Sequence, residues 1–232
     1  MNQFLNKSVS ICVSLILSCT AFTVHALETV TIKKETSEYI LDIKYPQQLP
    51  SSEENAAIKE LIKKTRSSFM SELIEDASVA ADAPGKTSLN ISYSIPYQTK
   101  TALSVRFDVS IYHRGSAHPY SIAKIINFVN GHQVKLSDLF IEKTDYLKSI
   151  AVFCNKVITA RNISDAPLIK EGTTAKDENY QNWFFTPKGI AVVFNAYQVA
   201  AYVYGEQTVM IPLAHLSTLI KPKLSKIIWN HE

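Results

Sequence analysis

Two stretches of this chain alternate apolar and polar residues without a break, and they restrict its architecture more than any other feature. In the first, Leu89, Ile91, Tyr93 and Ile95 alternate with Asn90, Ser92 and Ser94. In the second, Leu103, Val105, Phe107, Val109 and Ile111 alternate with Ser104, Arg106, Asp108 and Ser110. A period of two sends successive side chains to opposite faces of a strand. Each stretch therefore has one face for a core and one for water, the pattern of an antiparallel sheet covered on one side. A helix over about 52–76 supplies the cover: Ile58, Leu61, Ile62, Thr65, Phe69 and Leu73 fall on one face at helical spacing. Ser51 and Glu54 stand at capping-box spacing at its start. The expected fold class is α+β, a twisted antiparallel sheet packed against two main helices.

The second helix is expected over 144–160, where Leu147, Ile150, Ala151, Cys154, Val157 and Ile158 form the apolar stripe. Residues 29–45 read as two extended segments, with Tyr39, Leu41, Ile43 and Tyr45 alternating with polar or outward positions and Pro46 ending the run. Asn130-Gly131 joins a strand over 120–129 to His132–Leu136, because that dipeptide accepts positive φ at both central positions of a tight hairpin. A second hairpin is expected from Trp183-Phe184-Phe185 to Ile190–Phe194 around Thr186-Pro187-Lys188-Gly189. Gln207–Pro212 reads as a last strand and His215–Ile220 as a short helix, while 161–180 reads as polar and irregular.

The N-terminus reads as an export signal. Met1–Lys7 carries one positive charge, an apolar run extends from Val9 to Phe22, and Val24-His25-Ala26 places small or aliphatic residues at the −3 and −1 positions. The run is shorter than the roughly 20 apolar residues of a membrane span. The expectation is a signal peptide over 1–26 cut between Ala26 and Leu27, and a periplasmic or secreted mature protein free of the membrane. A lipoprotein anchored through Cys19 is the weaker alternative, since Leu17 is a poor residue two positions before the cysteine. Cys12 and Cys19 leave with the signal, so Cys154 is the only mature cysteine and no intrachain disulfide is expected. Its place in an apolar stripe makes it a buried structural thiol. The net charge of +3 comes without a concentrated basic run, which argues against a nucleic-acid binder.

Six glycines leave little room for a phosphate cradle, and no GxSxG or HExxH pattern occurs, so no cofactor is expected. His113 and His118 flank the turn Arg114-Gly115-Ser116-Ala117. With Asp108 or Asp138 they would make a zinc site, the basis for an alternative reading as a small metal-dependent envelope hydrolase. The other reading of the same residues is a structured turn, in which Gly115 supplies an unusual φ and the His118 ring bonds to backbone. Trp183, Phe184, Tyr197, Tyr202 and Tyr204 crowd the C-terminal third. Exposed, they suit a protein partner or a glycan face; buried, they are core.

Three segments in order resemble the C-terminal domain of unknown function of the RsiV anti-sigma factors, which also precedes the catalytic part of PdaC-type peptidoglycan deacetylases. The first is Tyr112-His113-Arg114-Gly115-Ser116-Ala117-His118-Pro119, similar to the family's Gly-Gly-Ala-His turn with Ser116 in place of the second Gly. The second runs from Asn127 through Asn130-Gly131 to Leu136-Ser137-Asp138-Leu139-Phe140. The third runs from Phe185 through Gly189, Phe194, Tyr197, Ala200 and Gly205 to Ile211-Pro212 and Leu216. The region before residue 113 resembles, more loosely, the module that accompanies this domain in the deacetylases. The resemblance implies a PdaC-like module over 27–113, an RsiV-like domain over 114–222 and a tail over 223–232. It implies the extracytoplasmic sensing or binding module without the sigma-binding segment or the deacetylase catalytic domain. The expectation is therefore a non-enzymatic envelope binding module whose partner is a lysozyme-like muramidase or a peptidoglycan fragment. The candidate binding residues are Tyr112, His113, Gly115, Ser116, His118, Trp183, Tyr197, Tyr202 and Tyr204.

Overall fold

The computed structural model describes residues 27–75 and 84–229; the expected signal peptide, Ala26 included, lies outside them. The two alternating stretches form β3 (Thr87–Gln98) and β4 (Ala102–Tyr112), paired antiparallel as expected. They sit at the centre of a six-stranded sheet in the order β1-β2-β3-β4-β5-β6, with β1 at Glu28–Glu35, β2 at Tyr39–Gln47, β5 at Tyr120–Val129 and β6 at His132–Val134. One pairing departs from the expected antiparallel sheet: β2 and β3 run parallel. The helix α1 (Ser52–Glu75) lies between them in sequence, and a helix-length connection is what a parallel pair requires. The Glu54 half of the capping box forms, with the Ser51 N–H donating to the Glu54 carboxylate, while the Ser51 hydroxyl caps the helix one position earlier by accepting from the Glu53 N–H.

α1 covers the apolar face as its stripe requires. Ile58, Ile62 and Phe69 are buried against Leu41, Ile43, Leu89, Ile91, Val105, Phe107 and Val109. Asn130 and Gly131 both take positive φ, 51° and 78°, and turn β5 into β6. Pairing of β4 with β5 carries this sheet across residues 113–114, where the resemblance divides the chain.

A second sheet, β7 (Trp183–Thr186), β8 (Gly189–Phe194) and β9 (Gln207–Pro212), is antiparallel throughout. It packs with α2 (Tyr146–Thr159), whose Ile150, Ala151, Cys154 and Ile158 are buried in the same core as Phe185, Val192, Phe194 and Val209. Two segments differ from expectation. Residues 161–180 contain α3 (Ala166–Gly172) and a 3-10 turn at Asp177–Tyr180; the Asp165 carboxylate accepts from the Leu168 N–H at 2.8 Å and starts α3, which buries Ile169. After the short α4 (Leu213–Leu216), the expected tail is instead a helix, α5 (Pro222–Trp229). Ile228 is buried, and the Trp229 indole N–H donates to the Thr186 carbonyl at 2.8 Å.

The two sheets are joined by buried polar groups. Ser104 on β4 and Asn127 on β5 bond through their side chains at 2.6 Å. The Ser104 hydroxyl oxygen also accepts from the Phe185 N–H at 3.0 Å, and the Asn127 amide donates to the Trp183 carbonyl at 2.7 Å. β7 is thereby fastened to the polar face of β4 and β5. Among the described residues no helix is long and apolar enough to cross a membrane.

Candidate functional site

The polar face of β4 carries Ser104, Arg106, Asp108 and Ser110. Ser104 is spent on the junction with β7. Beyond it, the face stays open as a groove of about 350 Å³ whose lining includes Arg106, Asp108, Ser121, Asn195, Tyr202 and Glu206. Arg106 is the hub. Its guanidinium donates to Asp108 through Nε and Nη2 at 2.9 and 2.6 Å, and to both Glu206 oxygens through Nη1 and Nη2 at 2.8 and 2.7 Å. Burial alone would lower the guanidinium pKa, but the hydrogen bonds and charges of Glu206 and Asp108 outweigh it and hold the group above its ordinary value. The two carboxylates retain further lone pairs for hydroxyl donors.

The far wall is the segment between β8 and β9. It is anchored from below: Val199 and Ala200 are buried, and the Gln198 amide donates to the carbonyls of Gly172 and Asn179. Gly172 is needed here because a Cβ would meet the Gln198 carbonyl oxygen at 1.9 Å. The Asn195 side-chain Oδ1 accepts from the Ala123 N–H of β5 at 2.8 Å. Tyr197 is held at φ 70°, a left-handed conformation that bulky side chains avoid, and the residue is 53% exposed. It stacks on Tyr202 with ring centroids 5.5 Å apart, and Tyr202 stacks on His118 at 4.0 Å and 16°. The result is a row of three rings, of which Tyr202 lines the groove, with Tyr204 half exposed and Val203 83% exposed in the same segment.

Of the residues anticipated for binding, His118, Tyr197 and Tyr202 are brought into contact, Tyr202 lines the groove, and Tyr204 is exposed in the same segment. The Gly115–His118 turn is as its residues imply: Gly115 has φ 81°, the Ser116 N–H donates to the His113 carbonyl at 2.9 Å, and the His118 ring approaches the Pro119 carbonyl at 3.1 Å. Gly115 and Ser116 are exposed at its tip. Tyr112 and His113 make other contacts: the Tyr112 hydroxyl reaches the Pro84 carbonyl at 3.5 Å, and His113 Nε2 lies 3.6 Å from Glu72 on α1. Trp183 is corrected from surface to core, being 2% exposed and edge-on to Phe185. The metal reading required His113, His118 and Asp108 to converge, but Asp108 is bound to Arg106, His118 is stacked on Tyr202 and His113 meets Glu72. Among the described residues no three His, Cys, Asp or Glu side chains group so as to hold a metal ion. Cys154 is fully buried, and burial pushes its thiol up to about 12.

Arg106, Asn195 and Glu206 were not anticipated. Arg106 and Asp108 share the polar face of the clearest alternation in the chain, a readable hint, but nothing local in the sequence pairs Arg106 with Glu206. A larger cavity of about 540 Å³ lies among β5, β6 and residues 177–183, and of the anticipated residues only Trp183 lines it. We take the smaller groove as the candidate site because exposed rings and bridged carboxylates meet there.

Comparison with known proteins agrees with the order of these parts. A family model described as deacetylase PdaC matches residues 32–121, and one described as a protein of unknown function, DUF3298, matches residues 137–214. The peptidoglycan-N-acetylmuramic acid deacetylase PdaC of Bacillus subtilis is 33% identical over 144 residues, a match covering 59% of this chain and 30% of that protein. The chain thus spans about a third of the length of this curated relative. A solved DUF3298 family structure from Bacteroides fragilis has a TM-score of 0.61 at 16% identity, covering 89% of this chain and 98% of its own. Another from Pseudomonas aeruginosa has a TM-score of 0.65 at 15% identity, covering 86% and 96%. At such identities these two share the fold. The expectation of a protein that is not an enzyme is corrected by the first set of matches, since the relative and the model over residues 32–121 both carry a deacetylase's name.

Proposed function

We propose that this chain is an exported cell-envelope protein that binds the N-acetylated glycan of peptidoglycan in the groove beside His118 and Tyr202, in the service of peptidoglycan deacetylation. The observation that carries this is the Tyr197–Tyr202–His118 row, exposed at Tyr197 and His118 and half-buried at Tyr202, beside the Arg106-bridged carboxylates. With Tyr202 held between its two neighbours, the end rings, His118 and Tyr197, offer their outer faces to the C–H surface of a sugar, and Tyr202 holds them in place. The spare lone pairs of Asp108 and Glu206 accept sugar hydroxyls. The Asn195 amide, whose oxygen is already taken by Ala123, keeps its NH2 for an acetamide carbonyl. The likeness to a peptidoglycan-N-acetylmuramic acid deacetylase supports the substrate class and the compartment.

Calorimetry with soluble disaccharide-peptide fragments of peptidoglycan tests it. We expect saturable binding that weakens at least tenfold in Tyr202→Ala while the circular dichroism spectrum stays unchanged. Acetate release measured on the same fragments reports whether bound glycan is deacetylated. Absence of binding to N-acetylated and de-N-acetylated fragments alike would sink the reading.

A second reading rests on Val203, 83% exposed at the rim beside Tyr204. Apolar and aromatic side chains presented together suit a protein interface. In this version the C-terminal part acts as an RsiV-type domain and takes a lysozyme-like muramidase. Pull-down with lysozyme, lost in Val203→Asp, would support it.

A further inference from the structure

On the opposite side of the first sheet, α1 and the β1–β2 edge enclose a second groove of about 500 Å³, lined by Ile32, Tyr45, Lys59, Lys63, Arg66 and Met70 among others. Lys59, Lys63, Arg66 and Met70 recur at intervals of four, three and four residues, so α1 presents them as one stripe. The three cations are exposed, and among the described residues none has a hydrogen bond or ion pair. Among the described residues no carboxylate lines the groove. Lys64, one position away, pairs with Glu60 at 3.6 Å and belongs to another face. The floor beneath the cations is apolar: Ile62 is buried, and Ile32, Tyr45 and Met70 are half-buried. Three unpaired positive charges over an apolar floor match an anionic amphiphile, with its phosphate on the rim and its first methylenes below.

We propose that this groove docks the protein on an anionic phospholipid surface, the headgroup phosphate held by Lys59, Lys63 and Arg66 and the upper acyl chain by Ile32, Tyr45 and Met70. A hydrophilic phosphodiester polymer would satisfy the cations and leave the apolar floor unused, which is why a lipid is favoured. The contact is peripheral, and it adds a membrane face to a protein whose sequence reads as free of the membrane once cut. It stands apart from the glycan reading, because the two grooves share no residue.

Co-sedimentation with phosphatidylglycerol–phosphatidylcholine vesicles tests it on the mature chain. We expect binding to these vesicles, little to pure phosphatidylcholine, and a steep fall with added salt. Lys59→Glu, Lys63→Glu and Arg66→Glu combined should weaken partition at least tenfold, and Met70→Gln should weaken it further at unchanged charge. Tyr202→Ala should bind vesicles like the parent, which separates this result from failure of the glycan reading. Equal binding by the triple variant overturns the proposal. So does competition by soluble glycerol phosphate oligomers as effective as that by vesicles, with Met70→Gln silent.

Discussion

Glu206 meets Arg106 with both carboxylate oxygens, at 2.7 and 2.8 Å, and so ties the residue just before β9 to the middle of β4 across a hundred residues of chain. Both side chains are largely shielded, at 28% and 21% exposure. Charge-assisted bonds of this bidentate kind contribute more than surface ion pairs. Glu206→Ala leaves the guanidinium with Asp108 alone. We expect a loss of about 1–3 kcal/mol in urea unfolding, together with weaker glycan binding. Glu206→Gln, which keeps the shape and one acceptor, should lie between the two.

Tyr197 separates stability from binding. Its left-handed backbone is strained for any residue with a Cβ, and glycine is free of that strain. Tyr197→Gly should therefore be more stable than Tyr197→Ala by roughly 1 kcal/mol, measured by thermal unfolding. Both should bind peptidoglycan fragments more weakly, because both lose the outer ring of the row.

The Ser104 hydroxyl serves two buried partners. Ser104→Ala strands the Phe185 N–H and one Asn127 lone pair where water does not reach, since Ser104 is fully buried and Asn127 nearly so. We expect a loss of about 2–3 kcal/mol. The affected contact lies between the sheets, so hydrogen exchange should quicken first at Phe185 and its β7 neighbours.

Cys154 reports on the second core. Burial raises its thiol from an ordinary 9.0 to about 12, with Arg161 opposing weakly. The fold favours the neutral thiol, so its contribution is complete below pH 9, where both states are protonated, and is lost as the pH rises toward 12. Stability should decline across that window, and Cys154→Ala should flatten the decline. At pH 8 a disulfide reagent should leave the native thiol unmodified and label it fully in denaturant.

Much of this was legible in the chain because it is local. The alternation in β3 and β4, the stripes of α1 and α2, the capping box at Ser51 and Glu54, and the Asn130-Gly131 turn each follow from residues within about one turn or one hairpin of each other. The parallel pairing of β2 with β3 was not legible, because pattern shows which face is apolar and says nothing of which strand lies alongside. α3 was missed because its seven residues carry only short apolar content, although Asp165 was there to cap it. The expected tail became α5 because Ile228 and Trp229 find partners in Tyr97 and Thr186, far off in sequence.

The candidate site divides along the same line. The sequence alone marked the Gly115–His118 turn and the tyrosines of 197–204 as unusual, since a glycine turn and crowded aromatics are visible one residue at a time. Only the tertiary structure decided that Trp183 is core while Tyr202 lies flat on His118, and that Arg106 holds Asp108 and Glu206 together. Burial and charge pairing depend on which surfaces meet. Here that was settled by the docking of β7–β9 onto the polar face of β4 and β5 through Ser104 and Asn127.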